Sequence, residues 1–388
     1  MGMIAYYENE RIFKLDTPNS SYVIGIVDEE NFVGHIYYGR KLRDHKIGYL
    51  LRTEENPFAP SKNNRDRTSF LDSFPMEYPG NGVGDYRRSA ISVKTAQGHV
   101  AVTPVYVSHE IYAGKPKLFG LPATFGTENE CETLELHCED KTLGLQIILS
   151  YTAFADVDVI ARSVRIVNQG EALYLTKALS ATLDMDNKDF ELLTLNGSWA
   201  RERMMEWRRV GKGFCGVESI RGESSHQDHP FLALRAAGAT QENGEVYGMH
   251  FVYSGNFIGQ VELNQHDMVR ASMGIHPDNF CWKLETGEEF QTPEVVLVYS
   301  ADGMDGMTHQ FHELYRNHLI RSEYKNKKRP ILINNWEATY FDFDTEKLLS
   351  IAKKASELGI EMLVMDDGWF GHRNDDNTSL GDWQVNES

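Results

Sequence analysis

No stretch of this 388-residue chain is apolar for long enough to span a bilayer. The N-terminal MGMIAYYENERIFKLD carries acids early and has no apolar run, so it does not read as a secretory leader. Cysteine is scarce. Cys131, Cys138, Cys215 and Cys281 are scattered, with no C-x-x-C pair, and reduced thiols in a cytoplasmic protein are expected. Positive charge is in deficit. Against 57 acidic residues stand 39 basic ones, a formal charge of −18. No net positive field exists to draw in nucleic acid or an anionic membrane, so neither is expected as a partner. A neutral ligand fits that charge, although the same charge also simply keeps a protein in solution. Internal repeats and low-complexity segments are missing too. What the chain does have is 41% apolar residues, enough for a substantial core, and a length that suits two or three domains.

The first 300 residues read as β. Val100 and Val102 alternate with His99 and Ala101. Leu134, Leu136 and Cys138 alternate up to the polar EDKT, and Leu143, Leu145, Ile147, Leu149 and Tyr151 alternate after it, which predicts a hairpin. Val164 and Ile166, then GEVYGMHFVYSGNF from Gly244 and PEVVLVYS from Pro293, continue the pattern. Many strands with polar turns and no long helix predict a large antiparallel sandwich over residues 1–300.

After Ser300 the period changes. Phe311, Leu314, Tyr315, His318 and Leu319 share one helical face, and SEYKNKKRP then reads as a linker, so residues 301–329 are assigned to a linking helix and linker. Residues 330–388 change class again. ILINNW, from Ile331 to Trp336, is a short strand; Asp342 or Asp344 can cap a helix whose buried stripe is Leu348, Ile351, Ala352, Ala355 and Leu358; Gly359 ends it. Ile360 to Met365 form a second strand. The order is β-α-β, which favours parallel strands and a right-handed crossover.

That second strand stops at Asp366-Asp367-Gly368-Trp369. In parallel α/β folds, ligands meet the carboxyl ends of strands, and Trp336 sits at the corresponding end of the first strand. An ionised carboxylate accepts hydrogen bonds and donates none, so two neighbours can hold two hydroxyls of a sugar. An indole face covers the apolar C–H side of a pyranose. A lone Asp in such a place would read as a cap or turn residue, and a lone Trp as core. The combination reads as a site, because unpaired charge beside a buried strand is too costly to be incidental. A divalent cation on the two carboxylates is the alternative, with few hard oxygen ligands near them in sequence.

Other candidates are weaker. His309, His312, Glu313 and His318 share a helix, but Arg316 stands where H-E-x-x-H requires a second histidine. His226 and His229 flank Asp228 in an expected surface loop, and GNGVG, Gly80 to Gly84, reads as turn glycines with no helix to follow. In NGSWARER, Trp199 sits beside a turn among polar residues, either as a contact residue or half-buried in packing.

At RPILINNWEATYFDF and LGIEMLVMDDGWFGHRNDDNTSLGDW the sequence resembles the bacterial α-galactosidases of glycoside hydrolase family 36. PMEYPGNGVGDYR, GKPKLFGLPATF, SSHQDHPFLAL, EVYGMHFVYSGNF and FQTPEVVLVYS extend the likeness over the whole chain. The resemblance implies an N-terminal β-supersandwich and the first unit of a (β/α)8 barrel, whose C-terminal β domain follows in the family. It implies that Asp366 and Asp367 hold galactose hydroxyls and that Trp336 lines the same pocket. It also implies that the Trp199 loop reaches an active site, often a neighbour's in a homotetramer, and that Glu55 in EENPFAP stands where the family more usually has Asp. The implied partner is a galactose-containing oligosaccharide such as melibiose or raffinose, cleaved with retention, and no cofactor or metal is expected. The family's nucleophile and acid/base aspartates lie in motifs resembling K-W-D-x-N and S-G-G-G-x-R-x-D. Neither motif occurs here, so the expectation is a partial chain without hydrolytic activity, and Asp375, Asp376 and Asp382 are not promoted to fill the gap. Alternatives on the same scaffold are a galactosyltransferase, an α-N-acetylgalactosaminidase, or a non-catalytic carbohydrate-binding module.

Overall fold

The computed structural model describes residues 2–43, 46–52 and 71–387. The alternation around residue 140 folds as the expected hairpin, Cys131–Asp140 against Leu145–Phe154, with Leu134 opposite Tyr151, Leu136 opposite Leu149 and Cys138 opposite Ile147. All six are buried. Asp140 seeds the turn by accepting from the backbone N–H groups of Thr142 (2.9 Å) and Leu143 (3.0 Å). An Asp side chain that bonds its own backbone two residues on offers the chain a ready-made reversal.

That hairpin belongs to a ten-stranded antiparallel sheet with the edge strands Val105–Ala113 and Arg201–Arg209. A six-stranded sheet built around Leu173–Asp186 and a four-stranded meander over Ile4–Arg40 complete the β region among the described residues. Residues of all three sheets meet in one continuous core, from Phe13 and Ile24 through Leu149 and Ile166 to Leu179 and Met273. The segment around Val100 and Val102 is not the strand its alternation suggests. Val102 is buried and its N–H donates to the Asn81 carbonyl (3.0 Å), so it is tied to a loop, and pairing begins only at Val105.

Two arginines are among the largest fully buried side chains. Arg162 lies 3.1 Å from Glu77, whose carboxylate also accepts from Tyr22 (2.8 Å) and Tyr151 (2.7 Å) and meets the His35 ring at 2.7 Å. Arg270 donates to both oxygens of Asp184 (2.7 Å each) and to Asp85 (2.8 Å), and Arg87 shares both acids. Burial alone would raise the pKa values of Glu77 and Asp184; Arg162, and Arg270 with Arg87, outweigh it and hold both carboxyls below the usual range. These pairs fasten the irregular stretch 71–90 to the sheets, and every charge has a partner, as burial demands.

The helix Gly303–His318 turns Met304, Met307, Phe311, Leu314 and His318 inward, the face read from sequence, against Val246, Val252, Val296 and Val298 of the ten-stranded sheet. Gly248 permits the approach: a Cβ there would lie 2.6 Å from the Phe311 ring and 2.7 Å from the Met307 sulfur. The chain divides into two compact units, Met1–Leu319 and Ile320–Ser388, and the helix lies in the first.

In the second unit, Leu332–Asn334 and Met362–Val364 pair in parallel, joined through the helix Thr345–Glu357. Asp344 caps that helix, accepting from the Lys347 N–H at 2.8 Å, and Gly359 ends it at φ +82°. Of the expected buried stripe only Ala355 is fully covered, and Leu358 is exposed. Leu332 and Met362 stay exposed and Ile333 and Leu363 are only half-buried, and parallel strands bury both faces only when both are covered.

Candidate functional site

Both strands of the second unit are short because polar side chains take over from the ladder. Past Asn334, the buried Asn335 accepts from the Asp366 N–H (2.8 Å) and donates to the Thr339 hydroxyl (2.9 Å). That amide ties the carboxyl ends of the two strands together beyond their last backbone pair. Asn334 accepts from the Trp336 N–H (2.7 Å) and donates to Asp366 Oδ2 (2.6 Å). Trp336 opens a one-turn helix, half-buried, with Tyr340 and Phe341 edge-on to its ring at 5.3 and 5.0 Å. The structure thus brings Trp336 and Asp366 to one rim, as expected from sequence.

The neighbouring carboxylate is held from the other direction. Asp367 accepts from the Gly368 N–H (2.8 Å) and from Arg373, through Nε (3.0 Å to Oδ1) and Nη2 (2.8 Å to Oδ2). Arg373 Nη1 donates to the Thr378 carbonyl (2.8 Å). The guanidinium carbon lies 5.8 Å from the Phe341 ring and 6.0 Å from that of Phe370. The hydrogen bonds from Arg373, with that from Gly368, hold the Asp367 carboxyl below the usual carboxylate range. Gly368 sits at φ +96°, where a side chain would be strained and a Cβ would press on Phe343 at 3.2 Å. Sequence reasoning missed Arg373, Asn334 and Asn335. The Asn-Asn pair at a strand end was a usable signal, since amides there can continue a ladder; nothing local marks Arg373.

Trp199 is 84% exposed at the tip of the hairpin Glu191–Ser198 and Arg201–Arg209, so it is not half-buried in packing. It belongs to the first compact unit, whereas Trp336, Asp366 and Asp367 belong to the second. Glu55 lies outside the described residues. His229 is not in a surface loop. It is the second residue of the strand Asp228–Arg235, half-buried, its ring stacked 5.5 Å from that of His250, whose Nδ1 lies 2.5 Å from the Tyr315 hydroxyl. Burial pushes these imidazoles down, His229 to about 4 and His250 to about 3. On the long helix His309 and His312 face solvent, while His318 is buried against Phe125 and Asp156. Among the described residues no cluster of three His, Cys, Asp or Glu side chains could hold a metal ion, and no helix is long and apolar enough to cross a membrane.

Residues 31–285 match the glycosyl hydrolase family 36 N-terminal domain. The chain belongs to glycosyl hydrolase family 36. Residues 289–388 match the melibiase family. Alpha-galactosidase AgaA of Geobacillus stearothermophilus is 47% identical over 385 residues, 99% of this chain and 53% of that protein. The crystal structure of family 36 alpha-galactosidase AgaB from the same organism is 48% identical, with a TM-score of 0.93 over 99% of this chain and 53% of that one. A variant of AgaA in complex with raffinose is 46% identical, with a TM-score of 0.93 over 97% of this chain and 52% of that one. The chain spans about half the length of the curated family 36 relatives it matches. At this similarity the family's fold is the chain's own, an antiparallel β-supersandwich followed by the start of a parallel (β/α)8 barrel.

Proposed function

We propose that the whole protein removes terminal non-reducing α-D-galactose from oligosaccharides such as raffinose and melibiose, with retention. Asp366, Asp367 and Trp336 form the part of the sugar site that this chain supplies. The observation that carries this reading is the pair of adjacent carboxylates at the end of a parallel strand, each fixed by its own partner and each an obligate acceptor, beside a half-buried indole. Membership of family 36 and the raffinose complex of a relative support the substrate class. Retention uses one carboxylate as nucleophile and another as acid and then base. Both carboxylates described here are committed to neighbours, Asp367 to a guanidinium, which suits holding a substrate better than attacking it. The proposal extends to a cytoplasmic homotetramer in which Trp199, exposed on its hairpin, approaches the site of a neighbouring subunit. Glu55 is proposed as a further sugar contact.

The test is kinetic, on the complete enzyme. It should cleave an aryl α-galactoside and raffinose in preference to an aryl α-N-acetylgalactosaminide. Asp366→Asn and Asp367→Asn should each raise KM and lower kcat/KM, at a cost of roughly 2–4 kcal/mol in transition-state binding, because an amide is a weaker acceptor and places a donor where a hydroxyl already donates. Near-parental kinetics in both variants would remove the sugar-clamp reading. Preference for the N-acetyl substrate would move the enzyme to the other specificity.

A further inference from the structure

Asp366 and Asp367 are neighbours in sequence, and both are drawn to one rim, yet they are held in chemically different ways. Asp366 takes a neutral amide donor from Asn334 on one oxygen and the Asp367 N–H (2.8 Å) on the other. Asp367 takes a guanidinium side-on. A carboxylate has about four acceptor positions in all. Asp366 has spent two. Asp367 has spent three or four, since Arg373 Nε reaches both oxygens, at 3.0 and 3.1 Å, in addition to Nη2 and the Gly368 N–H. Asp366 therefore has the greater free acceptor capacity, and Asp367 has its charge balanced and little capacity left. Arg373 is itself fixed. It is only 5% exposed, its remaining amino group is spent on the Thr378 carbonyl, and the Phe341 and Phe370 rings lie near its guanidinium. An arginine with no freedom left transmits its geometry to whatever it grips. The two-point grip fixes the plane of the carboxylate as well as its position, which a lysine, with a point charge, cannot do.

We infer that Arg373 is a positioning residue of the sugar site: by gripping Asp367 side-on it leaves that carboxylate one usable acceptor direction, so that Asp367 selects a single sugar hydroxyl while Asp366 serves as the freer acceptor. This rests on the reading of Asp366 and Asp367 as sugar ligands. Arg373 touches no substrate atom. It acts through Asp367, and its effect falls on which hydroxyl arrangement the site accepts.

The experiment compares wild type, Arg373→Met and Arg373→Lys in the complete enzyme, on an aryl α-galactoside and on its series of monodeoxy analogues, with circular dichroism and thermal melting of each variant. In wild type, one analogue should suffer a much larger loss of kcat/KM than its neighbours, since a site built to bond a hydroxyl rejects the compound that lacks it. In Arg373→Met, KM for the parent substrate should rise on the order of 10- to 100-fold, the scale found for groups that orient a ligand from behind. The penalty for that one missing hydroxyl should shrink toward those of the other analogues. Arg373→Lys should keep the charge and recover part of the affinity, with the discrimination still blunted. If Arg373→Met does not fold, Arg373→Lys alone decides: an intact analogue profile in Arg373→Lys overturns the inference. A folded Arg373→Met enzyme with parental KM and a parental profile overturns it too. Wild type without galactoside turnover removes the sugar-site reading and this inference with it, whereas wild-type turnover with an unchanged Arg373→Met removes the inference alone.

Discussion

The two compact units handle charge in opposite ways. The first buries Arg162, Arg270, Glu77 and Asp184 almost completely and pairs each one across segments far apart in the chain. The second keeps its other ion pairs at the surface, as between Lys354 and Glu357, buries only the arginine of the Arg373–Asp367 pair, and leaves Leu349, Leu358 and Met362 exposed. Antiparallel sheets closing on one another build an interior large enough to hold whole ion networks, whereas a parallel pair with a single helix has one covered face. In the first unit, charge is therefore part of the architecture. In the second, charge stays mostly exposed, and Asp367 is held by a buried arginine.

The sharpest way to break this contrast is to remove one buried charge. Arg270→Ala leaves Asp184 and Asp85 buried with Arg87 as their only strong partner, and it should cost about 3–5 kcal/mol, read as a lowered urea midpoint for the β unit. Lys354→Ala, in an exposed pair, should change stability by no more than about 0.5 kcal/mol, and a comparable loss at both sites would erase the distinction.

A pH-dependent effect is expected from the stacked histidines. Burial holds His229 and His250 neutral in the fold, with pKa values near 4 and 3, while the unfolded chain takes up protons near the ordinary histidine value of about 6.5. Between those values the unfolded state binds more protons, so stability is full above about pH 6.5 and declines as the pH falls toward 4. Denaturation midpoints measured across that window should slope downward, and His250→Gln should flatten the slope. A flat profile in the parent protein would show that the imidazoles reach solvent.

A local effect lies in the second unit. Asp344→Ala removes the cap on Thr345–Glu357 and should cost about 1 kcal/mol, seen as faster hydrogen exchange within that helix and unchanged protection in the sandwich. Unaltered exchange in the helix would mean that its packing, not its cap, sets its stability.

Much of this was legible in the sequence where local pattern and global packing agree. The hairpin over 131–154, the inward face of the helix 303–318, the Asp344 cap and the β-α-β order all follow from side-chain period and turn chemistry. The fold class followed as well, from pattern and from resemblance. The Val100–Val102 alternation misled because period two describes any extended chain, and here the extended piece bonds a loop instead of a neighbouring strand. His229 misled because a polar SSHQDHP run gives no sign that its second histidine lies in a strand and stacks on a ring from the next one. Arg162 was in principle readable: it shares the inward parity of Ile160, Val164 and Ile166, so an arginine among them announces a buried acid elsewhere. Arg373 was not readable, because its importance arises from a loop that folds back on the strand end, and no spacing rule encodes that return.

The different anchoring of the two carboxylates also bears on how such a site changes over generations. Asp366 is tied to Asn334 and Asn335, so its placement travels with the strands. Asp367 is tied to Arg373, whose own anchor is Thr378, so its placement travels with the loop. Insertions or replacements between residues 374 and 387 can therefore redirect one carboxylate while the other stays put. If the two carboxylates hold a sugar as proposed, a lineage can try new hydroxyl patterns one contact at a time.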